Sequence, residues 1–467
     1  MISTNILPDD VLLAIFDRYV NDTRQLENQR EWAWQSLVHV CRRWRSIIFA
    51  SPRHLNLQLL CQERTPARDM LDVWPALPLI ISCFGGHRIG SVDNIFAVLE
   101  RRDRVCRIDL VNVQSSDLEI LLAAMQQPFS ELTDLSLHCL GKTVPVVSDS
   151  FLGGSAPRLR FLKLYGIPIP GLPNLLLSAT HLVELYLSNI PHSGYISPEA
   201  MVTALSSLTS LSSFSLKFQS PRSCPDQTSR RPPPSTRSVL PVLTKIPFKG
   251  VSEYLEDLVA RIDAPRLNEV YITFFNDITF DAPQFIQFIT RTPTSRAPEK
   301  AHIMLWNHAA ILDFSSQTHG TGKVSVEILC RGLDWQLSSV EQVCASCLPP
   351  LSMLEDLYIY DQPHLQPDSK DDIENGLWLQ LLHPFTAVKN LYLSEQYALR
   401  IGIALQELVE GRTTEVLPAL QNISLDGLET LGPVQEGIAK FVAARQVLSR
   451  PIAVSSWANS DRDKVYY

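Results

Sequence analysis

Hydrophobic and polar positions follow two different periods along this chain. In the opening segment Val11, Leu12, Ile15, Phe16 and Tyr19 recur at three- and four-residue steps, the period of one helix face. Asn5 or Asp9 is placed to cap that helix, and Pro8 stands at its start, where a missing N–H donor costs nothing. The polar stretch NDTRQLENQREW (Asn21 to Trp32) predicts a loop or a solvent-facing extension. A second helical run starts near Trp32, with Leu37, Val40, Cys41, Trp44 and Ile48 at the same steps. Ser51-Pro52 ends it, because the residue before a proline is pushed out of helical angles.

From residue 105 the period changes to two. An apolar residue is followed, after two others, by two apolar positions flanking a variable one. The clearest copies are VCRIDL (Val105 to Leu110), LTDLSL (Leu132 to Leu137), LRFLKL (Leu159 to Leu164), LVELYL (Leu182 to Leu187) and LSSFSL (Leu211 to Leu216). LNEVYI (Leu267 to Ile272), LEDLYI (Leu354 to Ile359), VKNLYL (Val388 to Leu393) and LQNISL (Leu420 to Leu425) continue the set. The first five start 27, 27, 23 and 29 residues apart, and the step of 56 to Leu267 leaves room for one hidden copy. The last three drift to steps of 34 and 32. RHLNLQLLC (Arg53 to Cys61) and ALPLIISCF (Ala76 to Phe84) are candidates for earlier strands.

This recurrence predicts a solenoid in which each repeat supplies a strand and a return segment. Alternate leucines face inward from each strand, and the leading one packs from the turn before it. SSDLEILLAAMQQPF (Ser115 to Phe129) and ISPEAMVTALSSL (Ile196 to Leu208) predict outer helices, the crossovers that parallel strands need. Proline-containing turns, as in SAPRLRFLKL and VLPALQNISL, stop one helix before the next strand. SPRSCPDQTSRRPPPSTRSVLP (Ser220 to Pro241) has almost nothing to bury and predicts a flexible surface insertion. DQPHLQPDSKDDIENG (Asp361 to Gly376) predicts a solvated acidic loop.

The opening segment resembles a known family. LPDDVLLAIFDRY (Leu7 to Tyr19) and SLVHVCRRWRSIIFASPRHL (Ser36 to Leu55) are similar to the two halves of the F-box, a small helical domain that docks on the adaptor of a cullin-RING ubiquitin ligase. Leu7-Pro8 matches the opening pair, Asp10 the usual acidic position, and VCRRWR (Val40 to Arg45) the later signature. The connection from Asp17 to Ala33 is longer than the compact family pattern. The repeats resemble the irregular leucine-rich repeats often found behind an F-box, with the usual asparagine after the strand largely missing and Asn189 one instance. Together with GLDWQLSSVEQVC (Gly332 to Cys344), the chain resembles the F-box proteins abundant in mushroom-forming fungi.

The resemblance implies an α/β chain: a small N-terminal helical F-box over 1–55, then an irregular leucine-rich-repeat solenoid with a parallel sheet and outer helices. The solenoid spans 56–219 and 242–467, on either side of the insertion 220–241. The resemblance further implies adaptor contacts through Leu7, Pro8, Val11, Leu12, Ile15, Phe16, Leu37, Val38, Trp44 and Arg45, with Arg42 and Arg43 also at the rim. Part of this set is needed as local core, and Leu12, Ile15, Val40 and Trp44 are suited to pack inward. A unit this small cannot bury all of Leu7, Val11, Phe16, Tyr19, Leu37 and Val38. The expected partners are the ligase adaptor, through it a cullin, and a protein substrate on the repeats. A scaffold that holds the adaptor without ubiquitination is the alternative.

Composition narrows the remaining classes. A formal net charge of −8 leaves no basic excess for nucleic acid, and 45% hydrophobic with 19% charged residues describes a folded chain. Nine irregularly spaced cysteines do not form a disulfide framework, and Cys41, Cys83, Cys106, Cys139 and Cys330 lie in or beside apolar runs. Neither a secretory signal nor a membrane-length run is present, so cytoplasm or nucleus is the expectation. No nucleotide loop, zinc helix or catalytic triad is spelled out. The single CxxC, Cys344 and Cys347, lacks a second pair for zinc and runs into prolines, so it is read as packing. No cofactor and no enzymatic activity are expected.

Overall fold

The computed structural model describes residues 7–23, 33–62, 66–84, 92–139, 141, 144–223, 236–275, 282–292, 298–315, 322–345, 351–360, 374–409, 412–426 and 433–457. Seven of the nine named copies of the repeated pattern begin with the same turn. The leading residue donates its N–H to the carbonyl three residues back, as in Leu132 to Phe129 (3.3 Å), Leu159 to Ala156 (3.1 Å), Leu267 to Ala264 (3.1 Å) and Leu420 to Leu417 (3.1 Å). Both residues of each turn are buried, so one apolar pair anchors it. The next residue donates to the preceding repeat: Thr133 to Cys106 (2.8 Å), Arg160 to Thr133 (2.7 Å) and Val183 to Arg160 (2.8 Å). Buried backbone groups are thus paired across repeats before the strand proper begins.

The chain divides into two compact units, Met1–Ile196 and Ser197–Tyr467. The helical segment expected over 1–55 lies within the first unit. The cut falls upstream of the 220–241 stretch that separates the halves of the solenoid in the sequence scheme.

In the first unit α1 (Asp9–Thr23), α2 (Ala33–Val38) and α3 (Arg42–Ala50) precede six strands. These are β1 (Leu59–Cys61), β2 (Leu79–Phe84), β3 (Val105–Val113), β4 (Asp134–Cys139), β5 (Phe161–Tyr165) and β6 (Glu184–Ile190). Neighbours in sequence pair in parallel from β1 to β6. Both candidate early strands are present, as β1 and β2. In β4, Leu135, Leu137 and Cys139 are buried, while Asp134, Ser136 and His138 stand half-exposed on the other, open face. The helix Ser115–Ala124 buries Leu118, Leu121 and Leu122. Seven residues after three of the leading positions, Asn112 (φ 60°), Gly166 (φ 70°) and Asn189 (φ 54°) take the left-handed conformation that ends the strand. Asparagine and glycine tolerate that region best, which gives Asn189 a backbone reason.

The second unit contains β7 (Ser213–Phe218), β8 (Ser238–Val239), β9 (Lys245–Gly250), β10 (Ile262–Asp263), β11 (Glu269–Phe274) and β12 (Lys300–Trp306). β13 (Ala309–Ser315), β14 (Lys323–Ile328), β15 (Asp356–Tyr360), β16 (Asn390–Leu393), β17 (Asn422–Asp426) and β18 (Ala453–Trp457) follow. β9 is the hidden copy: LTKIPF starts at the buried Leu243, 32 residues after Leu211 and 24 before Leu267. β8 pairs with β10 in a separate two-stranded sheet, so the end of the expected flexible insertion is structured. Its start is described as well, as a short 3-10 turn over Pro221–Ser223, while residues 224–235 and most of the acidic loop lie outside the described residues.

One expectation for the sheet is corrected. Its order in this unit runs β7-β9-β11-β14-β13-β12-β15-β16-β17-β18, and β13 is antiparallel to both neighbours. After β11 the chain skips two places to β12, turns back through Asn307 and His308, and fills the gap with β13 and β14. The sheet is therefore largely parallel, with a hairpin set into the solenoid. Opposite its open face the unit buries Phe248, Ile272, Val326, Leu312, Ile303, Ile359 and their neighbours. Glu256, only 8% exposed, accepts from the backbone N–H groups of Gln284 (2.9 Å) and Phe285 (2.7 Å). That carboxylate caps the helix Pro283–Arg291 from a neighbouring helix.

Candidate protein-binding surfaces

The three N-terminal helices form a small core with an apolar remainder. Leu12 donates its N–H to the Pro8 carbonyl (3.1 Å), so α1 begins directly after the proline. Arg43 at the start of α3 bonds Asp9 (2.6 Å) and the Leu7 carbonyl, tying the two helix starts together. The Cys41 sulfur accepts from Trp44 N–H (3.5 Å) and caps α3. Inside, Leu12, Phe16, Val20, Trp34, Leu37, Val38, Ile47 and Ile48 are buried, with the Phe16 and Trp44 rings 4.7 Å apart. Trp34 donates to the Gln58 carbonyl (3.0 Å) and meets Trp74 edge-on at 5.2 Å, which packs the helices against the first repeat.

The ten residues implied as adaptor contacts therefore separate. Leu12, Phe16, Leu37 and Val38 are buried and serve as core, so they offer nothing to a partner in this conformation. Leu7 and Trp44 are half-buried. Pro8, Val11, Ile15 and Arg45 are exposed, and Arg45 Nε donates to the Val38 carbonyl (3.0 Å). Ile15 and Val40, suited by pattern to pack inward, face solvent at 48% and 57% exposure. Val11 (39%), Ile15 and Tyr19 (42%) are four residues apart and form one stripe along α1.

A second surface lies on the open faces of the sheets. In the first unit His138 meets Tyr165 at 4.1 Å and Phe161 meets Tyr186 at 5.7 Å. Beside the first residues of β2–β4 an open groove of about 400 Å³ is lined by Arg104, Arg107 and Arg158 against Asp103, Glu131 and Asp134. Its charges balance, Arg158 pairs with Glu131, and Arg104 is pinned to the Leu77 carbonyl (3.0 Å).

In the second unit, rings at equivalent repeat positions stack. His302 and Tyr358 lie 4.4 Å apart, Tyr358 and Tyr392 lie 4.2 Å apart, both pairs with nearly parallel ring planes, and Trp457 leans on both tyrosines at 5.8 Å. One row below, Asn422 Nδ2 donates to Asn390 Oδ1 (2.6 Å) and Asn390 Nδ2 to Asp356 Oδ1 (2.6 Å). Burial, with Lys300 and Lys323 nearby, pushes the His302 imidazole down from 6.5 to about 4. Toward β9 the row changes character: Lys245 and Lys323 lie over the Tyr271 ring at 5.1 Å and 5.6 Å. Burial and Glu269 push the Tyr271 hydroxyl up to about 12. The hydrogen bond from Lys245 holds the Glu269 carboxyl low. Sequence reasoning named none of these residues. The signal present was the tyrosine at the same place in LEDLYI and VKNLYL.

Among the described residues no group of three potential ligands is disposed to hold a metal. Cys344 is buried and its thiol is pushed up by desolvation, whereas Cys347 lies outside the described residues. No described helix is long and apolar enough to cross a membrane.

No protein-family model and no curated protein matches the chain. Among solved structures, it is similar to the leucine-rich repeat-containing protein LegL7 from Legionella pneumophila. Identity is 12% and the TM-score 0.27, with 82% of this chain and 97% of that one covered. The two units are each built from strand-and-helix repeats on a largely parallel sheet, an α/β solenoid-like architecture.

Proposed function

We propose that this chain is a non-catalytic recognition subunit of an SCF-type cullin-RING ubiquitin ligase. Its N-terminal helices bind the adaptor, and its repeats hold a protein substrate. The observation that carries the reading is the stripe Val11, Ile15 and Tyr19, left exposed on helices whose sequence resembles the F-box. Covering it is worth about 1 kcal/mol per side chain from apolar area alone. Exposed Arg42 and Arg45 supply a polar rim. The chain does no bond chemistry of its own. It raises the local concentration of a substrate near the conjugating enzyme.

Burial dictates which substitutions test this. In co-purification of the tagged full-length chain with the adaptor, Val11→Ser with Ile15→Ser abolishes binding and moves folding stability by no more than about 0.5 kcal/mol per site. Phe16→Ala, at a fully buried ring, costs about 3–5 kcal/mol. Adaptor binding that survives the double serine variant refutes the reading, as does failure of the folded wild-type chain to bind.

A further inference from the structure

We propose that the open face of the second unit, at Lys217 and Lys249 beside Tyr271, docks a carboxylate-rich segment of a partner protein. This names the chemistry of the partner for the repeats; it rests on the reading of the chain as an interaction protein and is independent of the docking helices.

Strand register brings the two lysines together on one face. Lys217 on β7 is opposite Lys249 on β9, Lys249 is opposite Thr273 on β11, and Thr273 is opposite Glu327 on β14. Register partners on neighbouring strands project from the same face, about 5 Å apart along the hydrogen-bonding direction. Both lysines are half-exposed. The carboxylates on that face are already engaged: Glu269 with Lys245 at 2.8 Å, Asp313 with Lys323 at 3.3 Å, and Glu327 with the Thr273 hydroxyl at 2.8 Å. Among the described residues neither Lys217 nor Lys249 has a carboxylate within ion-pair distance. Two like charges directly opposite on adjacent strands destabilise a sheet. A carboxylate laid between them reverses the sign of that interaction.

The surroundings select among anions. Lys249 lies 5.5 Å from the Phe275 ring, and Tyr271 and Pro247 continue an apolar floor beside the ammonium groups. No arginine occupies the open positions of β7, β9, β11 or β14, so the forked donor that grips phosphate bidentately is missing. Two lysines in a chain of net charge −8 give no continuous basic track for a nucleic-acid backbone. An extended peptide crossing these strands presents alternate side chains to the sheet, so carboxylates at every second position face the lysines.

The test uses the full chain and fluorescein-labelled peptides of alternating glutamate and alanine, followed by anisotropy at low salt. Lys217→Glu with Lys249→Glu is expected to weaken binding about tenfold or more. Lys163→Glu with Lys440→Glu, an equal charge change at exposed sites elsewhere, leaves it within about twofold. Lys249→Glu alone places opposite charges across β7 and β9; it keeps the circular dichroism spectrum, slows native-state hydrogen exchange of the β7 and β9 amides and still weakens the peptide. Equal losses in both double variants, no binding by the wild type, or tighter binding of a phosphoserine–alanine peptide overturns the proposal. Adaptor co-purification on the same samples separates failure here from failure of the ligase reading.

Discussion

His302 makes the stability of the second unit depend on pH in a calculable way. The imidazole is 5% exposed, stacked on Tyr358 with a 9° interplanar angle, and 3.4 Å from the Tyr360 hydroxyl through Nδ1. Lys300 on its own strand and Lys323 on β14 oppose a further positive charge, and Asp313, its register partner on β13, is engaged by Lys323. The folded value near 4 lies below the unfolded 6.5, so the unfolded chain binds the extra proton first as pH falls. Stability from the neutral ring is complete above the unfolded value and is lost between there and the folded one. The full loss is about 3 kcal/mol, with about 2 kcal/mol gone near pH 5. His302→Phe keeps a flat ring against Tyr358 and removes the titration. Because two units make a single melting point ambiguous, the readout is native-state hydrogen exchange at the amides of Lys300–Trp306. The wild type loses protection on acidification by more than His302→Phe, and the difference is the histidine's share. Equal losses in the two proteins would refute the reasoning, since other groups would then carry the acid sensitivity.

Two further outcomes follow from backbone geometry and capping. Gly166→Ala places a Cβ 3.2 Å from the Cys139 carbonyl at φ 70°, and costs about 1–2 kcal/mol in chemical denaturation, whereas Asn189→Gly stays within about 0.5 kcal/mol. Glu256→Ala leaves Gln284 and Phe285 N–H groups without their acceptor, costs about 1–2 kcal/mol, and speeds hydrogen exchange at those two amides first. Unchanged exchange there would show that the helix start is satisfied by another group.

The N-terminal helices show how periodicity and burial part company. A 3.6-residue stripe identifies which side of α1 is apolar, but that stripe is wider than the contact the small core can make. Leu12 and Phe16 fall on the covered part, while Val11 and Ile15 fall outside it. Val40 has the right spacing for the second helix, yet it sits in the turn before α3 and points to water. Spacing gives the angular position of a side chain around a helix axis. It says nothing of where the neighbouring helix ends.

The sequence alone determined the repeats. Nine copies of one apolar pattern each became a strand or its lead-in, and the step of 56 residues contained the tenth, at Leu243. This works because the leading leucine, the turn and the inward pair are local, within one strand and the residues before it. Three features were decided only by the tertiary structure: the antiparallel β13, the division at 196/197, and the meeting of His302, Tyr358 and Tyr392 in one stacked row. Each depends on which strand lies beside which, at separations of 34 to 56 residues for the stacked rings. A period of two sets the face of a side chain. Strand order and register then choose its neighbours, and those are fixed by packing across the whole sheet.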